Sequence, residues 1–231
     1  MNYFGEYETG LILAADLHSE DENCRLIEDV RDVIDVVKIG SPLVYRHGFG
    51  LIERITSRFD VPVFADLKVA DVPHTNVKIV EEAASHGASA VMVHGIVGPD
   101  GLADCIEAGG DTCGIIVQLE LTNPGGTLFT QPIAEDMAVL AAELGAFGTQ
   151  APGNRPDRIR AIRKILGPEP TIVCCGVGHQ GGRFQAVREA GGSYAIVGRS
   201  IYQAADPREA ALAILRYGDD HGYPEVMEHA G

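Results

Sequence analysis

Short apolar runs alternate with longer segments of helical periodicity along the 231-residue chain. The apolar runs occupy residues 11–15, 36–39, 63–65, 90–93, 115–119, 147–150, 171–174 and 194–197, of which the sixth is the weakest. The segments with helical periodicity occupy residues 20–30, a stretch ending near residue 59, and residues 76–85, 102–107, 134–144, 157–165, 184–190 and 208–215. The apolar runs are continuous rather than alternating, which is typical of parallel strands covered by helices.

Eight strand–helix units in a chain of this length predict an α/β fold, a (β/α)8 TIM barrel. No shift in composition and no linker divides the chain, so we expect a single barrel domain over residues 1–217. Residues 218–231 are polar and are predicted to form a C-terminal tail.

The composition narrows the range of partners. The formal net charge is −15, and repulsion between polyanions disfavours nucleic acid as a partner. No apolar run is long enough to span a membrane. The five cysteines form no C-x-x-C pair, and the N-terminus lacks the basic region of a signal peptide. We therefore expect reduced thiols and a cytoplasmic location.

Polar residues stand where the predicted strands end, which is where barrels of this kind place their chemistry. These residues are Asp16, Lys38, Asp66, Lys68, His94, Glu120 and Thr122. The densest set is the D-x-K-x-x-D motif of Asp66, Lys68 and Asp71, which predicts a charge network with coupled pKa values. His94 is interpreted as a hydrogen-bonded structural group, and no spacing of His, Asp and Glu predicts a zinc site.

Two glycine-containing segments after the last two strands predict a phosphate site. Residues 176–181 (GVGHQG) follow strand seven, and Gly198-Arg199 follow strand eight. Backbone N–H groups and an arginine at these loops suit an anion. Residues 176–181 also match G-x-G-x-x-G, but a dinucleotide site places that motif in the first β–α turn with an acid about twenty residues on. Here Arg199 stands near that position, which disfavours a nicotinamide site, although an arginine could serve a 2′-phosphate.

Five segments in the same order resemble the orotidine 5′-monophosphate decarboxylase family in its short archaeal-type form. They are LILAAD (11–16), VKIG (37–40), FADLKVADVPHTN (64–76), GVGHQGG (176–182) and IVGRSIY (196–202). The D-x-K-x-x-D core is shared with a sister branch, the 3-keto-gulonate-6-phosphate decarboxylases and hexulose-phosphate synthases. The extension PHTN (73–76) is similar to the orotidylate branch.

The resemblance implies decarboxylation of orotidine 5′-monophosphate to uridine 5′-monophosphate in pyrimidine biosynthesis, with neither cofactor nor metal. Lys68 would deliver a proton to C6 of the pyrimidine. Asp66, Asp71 and Lys38 would complete an alternating Lys–Asp network around it. In the family the second aspartate comes from the neighbouring subunit, so the resemblance implies a homodimer.

The resemblance also assigns the substrate contacts. Asp71, Val72 and Thr75 would complete the partner's site, and Asp16 and Lys38 would contact the ribose. Thr122 stands where the family usually has a serine that reads the pyrimidine edge. The phosphate contacts would be Gln180, Gly198 and Arg199, and residues 123–131 resemble the loop that closes over substrate. Cys175 replaces the proline that commonly precedes the Gly-Val-Gly, and it is expected to touch the ligand.

Two other functions remain open from the residues. A Mg²⁺-dependent sugar-phosphate decarboxylase or aldolase would use the same D-x-K-x-x-D carboxylates around a metal and an enediolate. A non-catalytic phosphate- or nucleotide-binding barrel is disfavoured, because a binding module has little use for a buried ionic network.

Overall fold

A computed structural model describes residues 2–217, and the predicted tail at 218–231 lies outside the described residues. Within the described range the strands are β1 (Leu11–Ala15), β2 (Val36–Gly40), β3 (Val63–Val69), β4 (Ala90–His94), β5 (Gly114–Gln118), β6 (Gly148–Pro152), β7 (Thr171–Cys175) and β8 (Tyr194–Val197). The α-helices are α1 (Glu20–Val30), α2 (Ser41–His47), α3 (Gly50–Phe59), α4 (Pro73–Ser85), α5 (Gly98–Gly109), α6 (Gly126–Phe129), α7 (Ala134–Glu143), α8 (Pro156–Leu166), α9 (Phe184–Glu189), α10 (Arg199–Tyr202) and α11 (Pro207–Tyr217).

The strands form a closed parallel barrel in chain order, with β8 returning to pair with β1. The predicted (β/α)8 barrel is therefore confirmed. Strands β1 and β8 and helix α1 have the predicted bounds. Helix α1 begins where expected because Ser19 and Glu22 form a capping box, in which each side chain accepts from the other's backbone N–H. No helix in residues 2–217 is long and apolar enough to cross a bilayer.

The single helix expected before residue 59 is two helices, α2 and α3. Gly48 ends α2 with φ 72°, a left-handed backbone that glycine adopts without steric cost. The closing segment predicted at residues 123–131 contains the short helix α6, and a 3₁₀ turn, Gln131–Ile133, begins at its last residue.

Strand alternation divides the buried side chains into two sets. One set fills the space between the strands and the helices, and the other fills the barrel interior. The interior set consists of Phe4, Ile12, Ala14, Val36, Phe64, Ala90, Met92, Ile116, Val173, Tyr194 and Ile196. Phe4 precedes β1, and its ring lies 5.1 Å from Phe147 and 5.5 Å from Tyr194, centroid to centroid. These aromatic rings fill the barrel interior at its N-terminal end.

Strand β3 runs further than its sequence predicts. It continues to Val69, so Asp66 and Lys68 lie within the strand and not beyond its end. Lys38 likewise lies in the middle of β2. Between Ala65 and Val69 the pairing with β4 advances four residues on β3 and only two on β4, from Val91 to Val93. This bulge gives β3 extra residues at the C-terminal end of the barrel, where a bulge can re-aim a side chain.

Candidate active site

A cavity of about 240 Å³ opens at the C-terminal end of the barrel. Its lining includes nine residues predicted as site residues: Asp16, Lys38, Asp66, Lys68, Thr122, Cys175, Gln180, Gly198 and Arg199. Three predicted site residues do not line it, namely Asp71, Val72 and Thr75. These three are the ones that the family resemblance assigns to the partner's site.

Four charged side chains of alternating sign form a continuous chain along one wall of the cavity. Lys38 Nζ lies 3.2 Å from Asp16 Oδ1 and 3.4 Å from Asp66 Oδ2. The other oxygen of Asp66 lies 2.6 Å from Lys68 Nζ. The side chains of Lys38 and Asp66 are 8% and 6% exposed, whereas that of Lys68 is 39% exposed. The chain therefore ends on an ammonium group that faces the cavity.

Burial by itself would favour the neutral forms of Lys38 and Asp66, the two middle groups of this chain of charges. Their charged neighbours shift both pKa values in the opposite direction. Burial lowers the pKa of Lys38, yet the carboxylates of Asp66 and Asp16 outweigh it and the pKa is raised. Burial likewise raises the pKa of Asp66, and the Lys38 and Lys68 ammonium groups outweigh it, so the pKa is lowered. Both groups are consequently charged at neutral pH.

Asp71 is separated from this chain of charges within one subunit. Its side chain is exposed, and among residues 2–217 it forms no ion pair with Lys68. The buried Asn76 accepts a hydrogen bond from the Asp71 N–H at 2.8 Å and donates one to the Asp71 carbonyl at 2.7 Å. This turn presents Asp71 and the 62%-exposed Val72 outward, away from their own cavity.

The opposite side of the cavity is built for an anion. The loop after β7 curls on itself, with Gly178 N–H donating to Gly182 O and Gly182 N–H donating to Gly176 O. Gly176 has φ 81°, and a Cβ there would lie 3.2 Å from Thr122 Cγ2. Among residues 2–217, no carboxylate pairs with the guanidinium of Arg199 at the start of α10. Arg199 therefore lines the cavity without a carboxylate partner, beside the other predicted phosphate contacts Gln180 and Gly198.

Glu120, which the sequence places among the strand-end candidates, lies outside this cavity. Its carboxylate is fully buried and pairs with Arg155 at 2.7 Å and Arg158 at 2.9 Å. It also accepts a hydrogen bond from Gln131 Nε2 at 2.9 Å. Arg155 in turn donates to the Leu121 carbonyl at 2.6 Å. Glu120 therefore anchors the segment that carries Thr122, and its role is structural.

Cys175 and His94 are both partly buried near the charged wall. Burial, followed by the nearby Asp66 carboxylate, raises the pKa of the Cys175 thiol to about 11, so this cavity-lining group is a neutral thiol. Burial lowers the pKa of His94, and the charge of Lys68 adds to this. The hydrogen-bonded role expected for His94 is not observed at Nδ1, which is buried without a hydrogen-bond partner in residues 2–217.

Several cavity-lining residues were not singled out from the sequence, among them Gln118, Gln150 and Tyr202. The two glutamines lie on the predicted strands, and their signal was a polar residue at an inward position of an apolar run. Within residues 2–217, no three His, Cys, Asp or Glu side chains come together in a way that could hold a metal ion.

Comparison with known proteins gives one consistent family. The model of the "Orotidine 5'-phosphate decarboxylase / HUMPS family" matches residues 9–214. Orotidine 5′-phosphate decarboxylase of Methanosarcina mazei is 45% identical over 213 residues, which cover 90% of this chain and 94% of the relative. That of Methanosarcina barkeri is 43% identical over 210 residues, with the same coverage of each chain.

Solved structures agree with the sequence relatives. The crystal structure of orotidine 5′-phosphate decarboxylase from Pyrococcus horikoshii has a TM-score of 0.81 at 37% identity, covering 89% of this chain and 97% of that one. The enzyme from Methanocaldococcus jannaschii, complexed with the inhibitor BMP, has a TM-score of 0.80 at 35% identity, covering 90% of this chain and 98% of that one. With this fold and these matches over most of its length, the chain belongs to the orotidine 5′-phosphate decarboxylase / HUMPS family and is an enzyme of the carboxy-lyase class.

Proposed function

We propose that this enzyme decarboxylates orotidine 5′-monophosphate to uridine 5′-monophosphate in pyrimidine biosynthesis, with Lys68 as the proton donor to C6. The observation that carries the proposal is the alternating chain Asp16–Lys38–Asp66–Lys68. It ends on a cavity-facing ammonium, while the unpaired Arg199 lines the same cavity.

The reaction requires strong electrostatic help. When CO₂ leaves C6, the electron pair of the broken bond stays in an sp² orbital that no ring carbonyl can reach by conjugation. An ammonium beside C6 stabilises this developing charge and then transfers a proton to it. The Asp66 carboxylate, 2.6 Å away, holds the ammonium in place, and solvent returns the donated proton to the amine after product release.

The phosphate contributes at a distance from the reacting carbon. Gln180, Gly198 and Arg199 hold it, and its binding energy closes the Thr122–Gln131 segment over the substrate and expels water. Two apolar side chains on α6 within this segment are exposed, Leu128 by 67% and Phe129 by 75%. Closure gives such side chains a surface to cover.

We also propose a homodimer with shared sites, in which Asp71, Val72 and Thr75 complete the cavity of the partner. The outward turn at Asp71 and the exposure of Val72 support this, because neither residue serves its own cavity. A cytoplasmic location belongs to the same proposal and is consistent with the five free cysteines.

The geometry favours orotidylate chemistry over the metal-dependent sister branch. Each oxygen of Asp66 lies against an ammonium group, at 2.6 Å from Lys68 and 3.4 Å from Lys38. A Mg²⁺ ion would have to displace these pairs before it could use that carboxylate as a ligand.

The decisive experiment follows the absorbance of orotidine 5′-monophosphate with purified protein, with and without EDTA. We expect turnover that EDTA does not change. Turnover of a sugar phosphate that EDTA abolishes, with none of orotidylate, would assign the sister branch. Nucleotide binding without any turnover would assign a binding barrel.

A further inference from the structure

Two buried glutamines form part of the barrel interior beneath the reacting groups. Gln118 on β5 and Gln150 on β6 are register partners, and each is 1% exposed. Gln118 comes two residues after the interior Ile116, so both amides point into the barrel. Both line the same cavity as Lys68 and Asp66. An apolar pair would suffice to fill this position, so the polar pair calls for a partner.

The hydrogen bonds of the pair define which atoms are free. Gln118 Nε2 donates to Gln150 Oε1 at 2.5 Å, and the backbone N–H of Glu120 donates to the same oxygen at 3.4 Å. A backbone N–H can only donate, so the oxygen of Gln150 must face it and Nε2 must face the other way. Within residues 2–217, Gln150 Nε2 has no acceptor. Because Gln150 lines the cavity, this N–H faces space that a ligand would fill, and a ligand atom can be its acceptor.

We propose that Gln150 is a specificity-determining residue whose side-chain N–H donates to the C6 carboxylate of the substrate. This inference rests on the proposed function. Lys68 approaches C6 from β3, and the adjacent Asp66 carboxylate repels the substrate carboxylate toward the facing strands, where β6 lies. Gln118 positions the amide through the hydrogen bond to Oε1. The site thereby distinguishes the substrate from the product, which has a hydrogen atom at C6.

The charge changes during the reaction determine whether loss of this hydrogen bond affects KM or kcat. The hydrogen bond is strongest to the ionised carboxylate and weakens as neutral CO₂ forms. It therefore stabilises the bound substrate more than the transition state, and its loss raises KM without lowering kcat. The product lacks the carboxylate and gains nothing from this hydrogen bond.

The test replaces the amide by an unbranched apolar side chain of similar length, Gln150→Met. KM and kcat are measured for orotidine 5′-monophosphate, and Ki for uridine 5′-monophosphate as a competitive inhibitor. We expect KM to rise about tenfold or more, since the lost bond is to a charged group, with kcat not reduced and Ki changed by less than about twofold. A parallel rise of KM and Ki, or an unchanged KM, overturns the inference.

The control is Thr149→Val, on the same strand but facing away from the cavity, with a buried hydroxyl that has no hydrogen-bond partner in residues 2–217. It should leave KM and Ki unchanged. If Gln150→Met fails to fold, Gln150→Glu keeps the shape of the side chain and removes its N–H donor. This variant must then weaken the binding of orotidine 5′-monophosphate more than that of uridine 5′-monophosphate. Absence of orotidylate turnover by the wild type would defeat the proposed function itself. Wild-type turnover with equal effects on KM and Ki would defeat only the role of Gln150.

Discussion

Lys68 Nζ lies 2.6 Å from Asp66 Oδ1, although the backbone at Lys68 is left-handed, with φ 48°. A left-handed conformation costs a residue with a Cβ about 1–2 kcal/mol, and it persists only where the surrounding structure enforces it. The bulge between Ala65 and Val69 provides that enforcement. The ammonium is thus held beside the carboxylate before any substrate arrives, which is what electrostatic catalysis requires.

Replacing Lys68 by methionine should nearly abolish turnover. In the proposed mechanism the variant loses both the proton donor and the positive charge beside the carbanion, so we expect kcat/KM to fall by about 10⁴-fold or more. The absorbance assay measures this loss. Lys78→Met is the matched control, because Lys78 is exposed on α4 and should retain wild-type activity. A Lys68→Met enzyme within tenfold of wild type would contradict the role of Lys68.

Asp66→Asn should destabilise the protein in a pH-dependent manner. The lowered pKa of Asp66 means that its stabilisation is present above the unfolded-state value and is lost as pH falls through the folded-state value. At neutral pH the buried Lys38 ammonium loses one of its two carboxylate partners in this variant. We expect the unfolding free energy to fall by about 3–5 kcal/mol. Urea denaturation should show this difference shrinking at pH values below about 4.

At high pH, the stability contributed by Lys38, the partner of Asp66, changes in the opposite direction. The raised pKa of Lys38 gives stability that is fully present below the unfolded-state lysine value and is lost as pH rises through the folded-state value.

Asp157→Asn is the control for Asp66→Asn, because its side chain is 98% exposed in a surface pair. A difference between Asp66→Asn and wild type that stays constant with pH would show that the charge pairing is not its cause.

Arg199→Ala should impair more than binding. If Arg199 contacts the phosphate as proposed, the variant loses a charge-assisted hydrogen bond worth about 1.5–3 kcal/mol, a factor of roughly 10–150 in kcat/KM. If phosphate binding drives closure of the Thr122–Gln131 segment, kcat at saturating substrate falls as well. Steady-state kinetics separate the two effects, with Arg160→Ala as an exposed control. A rise in KM alone would refute the coupling to closure.

Shared sites predict complementation between two inactive variants. A dimer of one Lys68→Ala subunit and one Asp71→Asn subunit has one doubly altered site and one intact site. Random mixing of the subunits should restore about one quarter of the wild-type activity, because half of the dimers are mixed and each has one working site. The activity of co-refolded variants measures this. Activity no higher than that of the separate variants would indicate that Asp71 acts within its own subunit or not at all.

Arg163→Lys should lower stability and leave catalysis intact. The Arg163 guanidinium donates to the carbonyls of Gly167, Pro170 and Gly191 at 2.8 Å each, and to Ser193 Oγ at 3.1 Å. An ammonium cannot reproduce this planar set, so we expect a loss of about 2–3 kcal/mol in unfolding free energy. Thermal or urea denaturation tests it, and kcat/KM of the folded enzyme should be unchanged. Equal stability of the two proteins would contradict it.

The parts of the fold predicted best are those with local signals. Strands β1 and β8 are short apolar runs, and α1 begins at a capping box, so neighbouring residues suffice to define them. The sequence did not predict the break between α2 and α3, because the residues around Gly48 do not show that its backbone adopts a positive φ. Glu120 was placed with the site because it follows a strand, whereas Arg155 and Arg158, from a later unit, bury it elsewhere.

The sequence by itself determined the eight alternating units, the barrel and the family, because periodicity and ordered motifs are properties of neighbouring residues. Only the tertiary structure decided which polar groups meet. Lys38 joins Asp66, and Gln118 joins Gln150, through the register of strands far apart in sequence. The orientation of the Lys68 side chain depends on the bulge in β3 where it pairs with β4. Register and bulges are set when the whole sheet closes and packs, and no local pattern specifies that choice.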